Sequence, residues 1–239
     1  MSIERFRRYT AWHDWVNRKQ FAAPAGAWDL IHVDPDRLDR YDTVSLEWGL
    51  GRVRGGEWDR TDRERLAETD VYTGLEERFV DEMSWTETTY YEWGREGLAN
   101  AESFRGCADI EEFVAGRCAA LDEMVASVRS DGYRPNYGHL YDSAAAIEYV
   151  QQMEPIVCVG RGGDLFTTEG YHRVALGQLL DVDSIPVHVL QRHEGWQAVR
   201  DAVSRGESIP VDEVSPSHPD LRDVHPDAEG AGPTAIDVD

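Results

Sequence analysis

Gly170, Tyr171, His172 and Arg173 follow directly on the stretch "LFTTE" and open the apolar-periodic run "VALGQLL". A strand that hands over to a helix at a glycine leaves free backbone N–H groups directed at one spot, and the helix dipole adds positive potential there. Glycine allows a ligand to approach the backbone closely. Arg173, one turn in, stands at the helix end where a cation is unfavourable unless something anionic lies nearby. Its guanidinium would complete a cradle as a bidentate fork, and His172 could donate or accept near neutral pH. Tyr171 could stack on a base or pack in the core. The chemistry suggested is binding of a phosphate, sulfate or carboxylate. With that anion supplied by a ligand, Arg173→Ala should weaken binding and leave folding little changed.

Glu169 precedes the glycine and reads as a capping or surface carboxylate, with a ligand-facing role as the alternative. Arg192 and His193 follow the strand "SIPVHVL" and precede Trp196. Residues just past strand ends in a small parallel α/β unit face the ligand crevice. Glu169, Arg192 and His193 are therefore candidates for a second wall, against an exposed loop at 192–193 with Trp196 as core packing. No residue can be named as a catalytic base, so the catalytic residues are unknown. Glu57 and Asp59 lie with Arg52 and Arg54 around a glycine-rich turn, and read as surface charge rather than Mg²⁺ ligands. His218 and His225 lie at a spacing that suits no common zinc motif, and Cys107, Cys118 and Cys158 form no C-x-x-C pair. No metal site is expected.

The elements that must position these residues lie in the last third of the chain. "SAAAIEYVQQ" predicts a short helix, "PIVCVG" a buried strand, Arg161–Asp164 a turn and "LFTT" a second strand. "GYHRVALGQLL" predicts a helix, "SIPVHVL" a third strand and "EGWQAVRDAVS" a closing helix, together a small α/β unit. Upstream, residues 64–100 read as helical, with Ser84 and Glu87 as a capping box opening a second helix. Asp109 caps a third that stops at Asp131-Gly132. Around residues 30–60 an Asp-Pro breaker and the glycine-rich "EWGLGRVRGGEWD" read as an irregular or hairpin portion. The expected class is α+β. Residues 1–138 form a mainly helical region, 139–205 the α/β domain, and 206–239 an acidic, largely disordered tail in which "HPDLRDV" could dock as a short turn.

"EPIVCVGRGGDLFTTEGYHRVALGQLLDVDSIPVHVLQRH" resembles the N-terminal domain of the ParB/sulfiredoxin superfamily. That domain has a strand, a short hairpin, a G-x-x-R turn into a helix, "LG" near the helix end and an "IPV" strand. The matching residues are Gly170, Arg173, Leu176-Gly177 and Ile185-Pro186-Val187, and the resemblance covers residues 143–203. It implies nucleotide phosphate bound at this helix start; the cofactor is left unknown, with a nucleotide such as ATP or CTP and Mg²⁺ as one that could serve. ParB proteins bind CTP and hold DNA through a separate helix-turn-helix domain. Sulfiredoxin uses ATP to reduce an oxidised cysteine, and a kinase branch phosphorylates free serine. This chain departs from each branch. Tyr171 stands where sulfiredoxin has its reactive Cys, and no helix-turn-helix is evident after residue 205. Glu169 replaces the Asp of the kinase turn, with the His displaced by one position.

The function implied is that of a nucleotide- or phosphate-binding protein. If it is an enzyme, which the residues leave open, phosphoryl transfer or nucleotide hydrolysis is the natural class. A ParB-like nucleic-acid-binding or nuclease protein is the alternative. Segment 141–205 disfavours it, with nine acids against five arginines and no basic stripe. A non-enzymatic interaction module is the third reading.

Composition adds the setting. The 239 residues carry 46 acidic and 24 basic side chains, a net charge of −22, and Lys19 is the only lysine. An acid-rich, lysine-poor surface suits concentrated salt, which screens carboxylate repulsion. The charged N-terminus has no apolar core of a signal peptide, and no run is long enough to span a membrane. A cytoplasmic protein is expected, with a nucleotide or other anionic small molecule as partner and no membrane. Its melting temperature should rise between dilute buffer and molar KCl. Equal values in the two, by differential scanning fluorimetry, would remove the high-salt reading.

Overall fold

In the computed structural model residues 2–207 and 217–224 are described. The fold is mixed α+β, with an N-terminal helical region and one open seven-stranded sheet in the order β1-β7-β5-β6-β2-β4, with β3 also on β7. The first half supplies α1 (Ile3–Gln20), β1 (Leu30–Val33), β2 (Arg40–Tyr41), β3 (Arg52–Arg54) and β4 (Glu64–Arg65). It continues with α2 (Asp70–Phe79), α3 (Thr89–Ala99) and α4 (Ile110–Glu112), which runs through a π-turn (Phe113–Cys118) into α5 (Ala119–Asp131). The second half supplies β5 (Ile156–Val159), β6 (Leu165–Glu169), α6 (Tyr171–Leu179), β7 (Ile185–His193) and α7 (Glu194–Ser204). Residues 1–138 and 139–205 thus share one sheet, and the principal core draws on both.

Alternation on β5 explains the layers. Val157 and Val159 face one core, with Val174 of α6 and Trp196 of α7, while Ile156 and Cys158 face another, with Phe6 of α1 and Ile147. Period-two side chains with apolar neighbours on both faces are what a continuous apolar run such as "PIVCV" requires. β5 and β6 form an antiparallel hairpin, and β7 runs parallel to β5. On the other edge of β7, β1 pairs antiparallel with residues 185–188 and β3 pairs parallel with 191–193.

Several local expectations change in three dimensions. The glycine-rich stretch is not a hairpin: it threads past α1 and lays Arg52–Arg54 along the end of β7. Gly49 (φ +68°) makes the approach possible, since a Cβ there would lie 2.6 Å from the Thr10 backbone nitrogen. "SAAAIEYVQQ" forms two 3₁₀ turns, Ala144–Ala146 and Val150–Gln152, instead of a helix. There the Arg7 guanidinium donates to the carbonyls of Ala145 and Ile147, satisfying acceptors that a helix would otherwise use. The Ser84–Glu87 capping box opens a 3₁₀ turn, and Thr88 caps α3 with a bond from the Tyr91 N–H.

Of the expected tail, 208–216 and 225–239 lie outside the described residues. Residues 217–224 are packed on the core, and His218, Pro219, Asp220 and Leu221 are buried. Asp220 is what draws them in. Its carboxylate accepts from Arg192 Nε (2.9 Å) and Nη2 (2.6 Å) and from Trp196 Nε1 (2.8 Å), and Arg200 lies 3.6 Å away. Burial alone would raise the Asp220 carboxyl, but Arg192 and Arg200 outweigh it and hold the group well below the usual carboxylate range. His218 Nε2 donates to the Gly163 carbonyl (2.9 Å), and its ring packs on Trp196.

Asp220→Ala would leave two buried guanidinium groups without their shared counter-charge. Its expected cost is about 3–5 kcal/mol, read as a lower urea midpoint with unchanged slope. A variant as stable as the wild type would show that the docked turn carries no stability.

Candidate functional site

β6 ends at Glu169, and Gly170 takes a left-handed conformation (φ 76°, ψ 19°) that turns the chain into α6. No other residue fits well: a Cβ at Gly170 would lie 2.8 Å from Pro155 Cα. The N–H groups of Arg173 (2.9 Å) and Val174 (3.2 Å) close onto the Gly170 carbonyl, so α6 begins at once. The N–H groups of Tyr171 and His172 belong to the first turn, which has no intrahelical acceptor for them. Residues 169–173 all line one cavity of about 810 Å³ between α6, the π-turn and the 148–156 segment.

Arg173 does not face an empty cradle. Its Nη2 donates to the carboxylate of Glu154 and to the Tyr133 hydroxyl, and its Nη1 to the Met153 carbonyl (3.2 Å). The Glu154 side chain is 0 % exposed and that of Arg173 13 %. Glu154 Oε1 also accepts the Tyr137 N–H at 2.8 Å. The anion at the positive end of α6 is thus an internal carboxylate. This corrects the expectation that removing Arg173 would spare folding.

Tyr171 and His172 are also engaged. The Tyr171 ring is buried, its hydroxyl accepts from Arg105 Nη2 (2.9 Å), and it stacks on His172. His172 Nε2 pairs with the Tyr90 hydroxyl at 3.1 Å. Burial, and then the charges of Arg117 and Arg105, push the His172 pKa down to about 3, so its imidazole is neutral at physiological pH. Burial pushes the Tyr90 phenol up to about 12 despite Arg117 beside it. Burial also raises the Glu169 carboxyl, against the pull of Arg105.

The structure adds two arginines from the helical half. Arg105 sits in a left-handed turn (φ 54°) with its guanidinium over the Trp93 and Tyr171 rings. Arg117 comes from the π-turn, a wider helical turn of the kind often found at functional sites. Aromatic rings flank both, and Arg105 also acts on the Glu169 carboxylate, whereas Arg173 is paired directly with Glu154. Neither could be read as part of a site from the chain alone, because each lies more than fifty residues from Gly170 along it. The π-turn itself replaces part of what the periodicity predicts as one continuous helix. Three glutamates, 148, 154 and 169, share the same lining, so the cavity is mixed in charge.

Arg192 and His193 are not brought to this place. Arg192 pairs with Val159 at the far end of β5, whereas Gly170 adjoins the strand end at which Ile156 pairs with Glu169. Both are buried parts of β7 and neither a loop nor a wall: Arg192 is committed to Asp220, and His193 Nε2 to the Gly56 carbonyl at 2.9 Å. Asp59, near the glycine-rich turn, is bridged by Arg161 at 2.6 Å. Burial would raise its carboxyl, but the Arg161 bonds hold it down at about 2. Among the described residues no group of three or more His, Cys, Asp or Glu is placed to hold a metal ion. Cys158 is buried in β5, and burial pushes its thiol up. No described helix is long and apolar enough to cross a membrane. Compared with family models, with curated proteins and with solved structures, the chain matches none.

Removing one partner of a buried ion pair strands the other. Arg173→Ala should therefore cost about 3–5 kcal/mol of folding stability in urea titrations, and Arg173→Lys less. An unchanged midpoint for Arg173→Ala would mean that Glu154 finds other compensation.

Proposed function

We propose that the protein binds a phosphate-bearing small molecule, most naturally a nucleotide, in the cavity at the start of α6. The observation that carries this reading is the convergence of Arg105 and Arg117 on the cavity that also holds the strand–Gly170–helix junction. Free N–H groups at a helix start favour an anion, and two arginines supply charge for it. The cavity's volume, about 810 Å³, lies in the range of small-molecule sites. Tyr149, 64 % exposed, also lines it and offers a ring for a base, with Val150 and Leu46 as apolar neighbours. Arg173 acts in this reading through Glu154, fixing the floor beneath the ligand. The resemblance to ParB/sulfiredoxin domains points to the same junction. Glu169, with its raised carboxyl, is the group in the cavity best suited to exchange a proton should chemistry follow.

Thermal-shift and calorimetric titrations with inorganic phosphate, ATP, CTP and GTP, with and without Mg²⁺, test this. A ligand present at a hundred times its dissociation constant should add about 2.7 kcal/mol. Arg117→Gln should weaken binding by about 1.5–3 kcal/mol while the protein stays folded, since its neighbour is a phenol and not a buried carboxylate. Absence of any shift with every phosphate ligand, or wild-type affinity in Arg117→Gln, would overturn the reading.

A further inference from the structure

On the opposite side of the sheet, α1 carries charge against the trend of the chain. Its eighteen residues hold Arg5, Arg7, Arg8, Arg18 and Lys19 against only Glu4 and Asp14, in a protein of net charge −22. Arg5, Arg8, Tyr9 and Trp12 recur at the three- and four-residue spacing of one helical face. That face forms one wall of a groove of about 800 Å³, and Trp48, Arg52 and Val53 form the other. Three arginines and no carboxylate line it. A smaller hollow of about 120 Å³ shares Trp48 and Arg52 and adds Arg54, again without a carboxylate.

The two tryptophan rings in this groove are open to solvent, and Trp48 is also held in place. Trp12 is 54 % and Trp48 42 % exposed. Trp48 meets Tyr9 edge-on at 5.2 Å, lies under Arg52 at 5.5 Å, and its carbonyl is bonded to His13 Nε2 at 2.9 Å. The turn that carries it is fastened to α1 through Thr10, whose hydroxyl accepts the Leu50 N–H at 2.9 Å and donates to the Phe6 carbonyl at 2.9 Å. Single exposed tryptophans are unremarkable, but two in one groove among arginines form a stacking platform inside a positive channel. The apolar side of α1 is already spent on the core through Phe6, so no continuous apolar face is left to enter a lipid surface.

We infer that the groove between α1 and the 48–53 segment binds single-stranded nucleic acid, with bases stacked on Trp12 and Trp48 and phosphates on Arg5, Arg8 and Arg52. Stacking requires the π-face of an unpaired base, which a duplex withholds, and it tolerates any sequence. The channel has the length of about four helical turns, enough for a few nucleotides. This site is separate from the cavity at α6 and does not depend on it.

The test is fluorescence anisotropy with labelled oligothymidylate of about twelve nucleotides. A hairpin duplex and anionic phosphatidylserine vesicles serve as comparisons, at two KCl concentrations where circular dichroism shows the protein folded. The expected result is binding of the single strand well above that of duplex, weakening with salt at a slope of about −2 for three phosphate contacts. Trp12→Ala and Trp48→Ala should each weaken it about tenfold or more, and Arg52→Gln should flatten the salt slope by about 0.7. Trp15→Ala should change nothing, because that ring lies outside the groove under Lys19. Arg117→Gln should also leave oligonucleotide binding intact, which separates this site from the one at α6. The inference is overturned by absence of binding, by duplex bound as tightly as single strand, by tryptophan variants that bind as wild type, or by vesicle binding without oligonucleotide binding.

Discussion

Every layer of this protein is registered against β7, and β7 imposes one constraint. All nine of its residues are buried, yet the last six include His188, Gln191, Arg192 and His193. Buried polar groups must find partners, and a strand hydrogen-bonded along both edges can find them only from other parts of the chain. His188 takes the Tyr141 hydroxyl, His193 the Gly56 carbonyl, and Arg192 the carboxylate of Asp220. The 137–153 segment, the glycine-rich turn and the docked piece of the C-terminal region are each drawn in by one of these needs. Burial pushes the His188 pKa down to about 3, so that imidazole enters the core neutral. Its Nδ1 has no partner among the described residues.

The arginines divide by what faces them. Arg161, Arg173, Arg192 and Arg200 are each held by carboxylates, and for three of these four the side chain is nearly or wholly buried. A planar fork can satisfy a carboxylate in two directions at once, which a lysine ammonium cannot, and these pairs suit a chain with a single lysine. Such pairs specify where segments dock more than they add net stability. Arg105 and Arg117 have aromatic neighbours, Arg105 with Glu169 close by as well, and Arg5 and Arg52 lie over Tyr9 and Trp48. The acid-rich background makes these positions distinctive: arginines flanked by rings gather in two places, the cavity at α6 and the groove along α1.

The two halves of the chain are interdependent through that sheet. β2 extends it beyond β6 by pairing Tyr41 with Thr167, next to the start of α6, while α2 packs on α6 itself. Tyr41 meets Tyr171 at 5.0 Å, and Tyr90 of α3 meets His172. The helical half therefore shapes the cavity at Gly170 as well as covering the sheet. The π-turn and the left-handed Arg105 are local departures from regular backbone, and each carries an arginine that lines that cavity.

Much of the local order was legible in the residues. The strand–turn–strand–helix–strand–helix succession from Ile156 to Ser204 follows from apolar runs, glycines and caps, all of which act within a few residues. The glycine junction at the head of α6 was legible for the same reason, and the structure added its left-handed conformation. α1 was not, because its buried face includes Thr10, His13 and Asn17, whose side chains bond to nearby loop backbone and leave a weak apolar period. What the sequence by itself determined was the α+β class, the junction at Gly170 and the need for an anion beside Arg173. Only the tertiary structure decided which anion that is, because Glu154 lies 19 residues away and Asp220 lies 28 from Arg192. Propensity and spacing act over one or two turns of chain, whereas the partner of a buried charge is whichever group packing brings within hydrogen-bond reach.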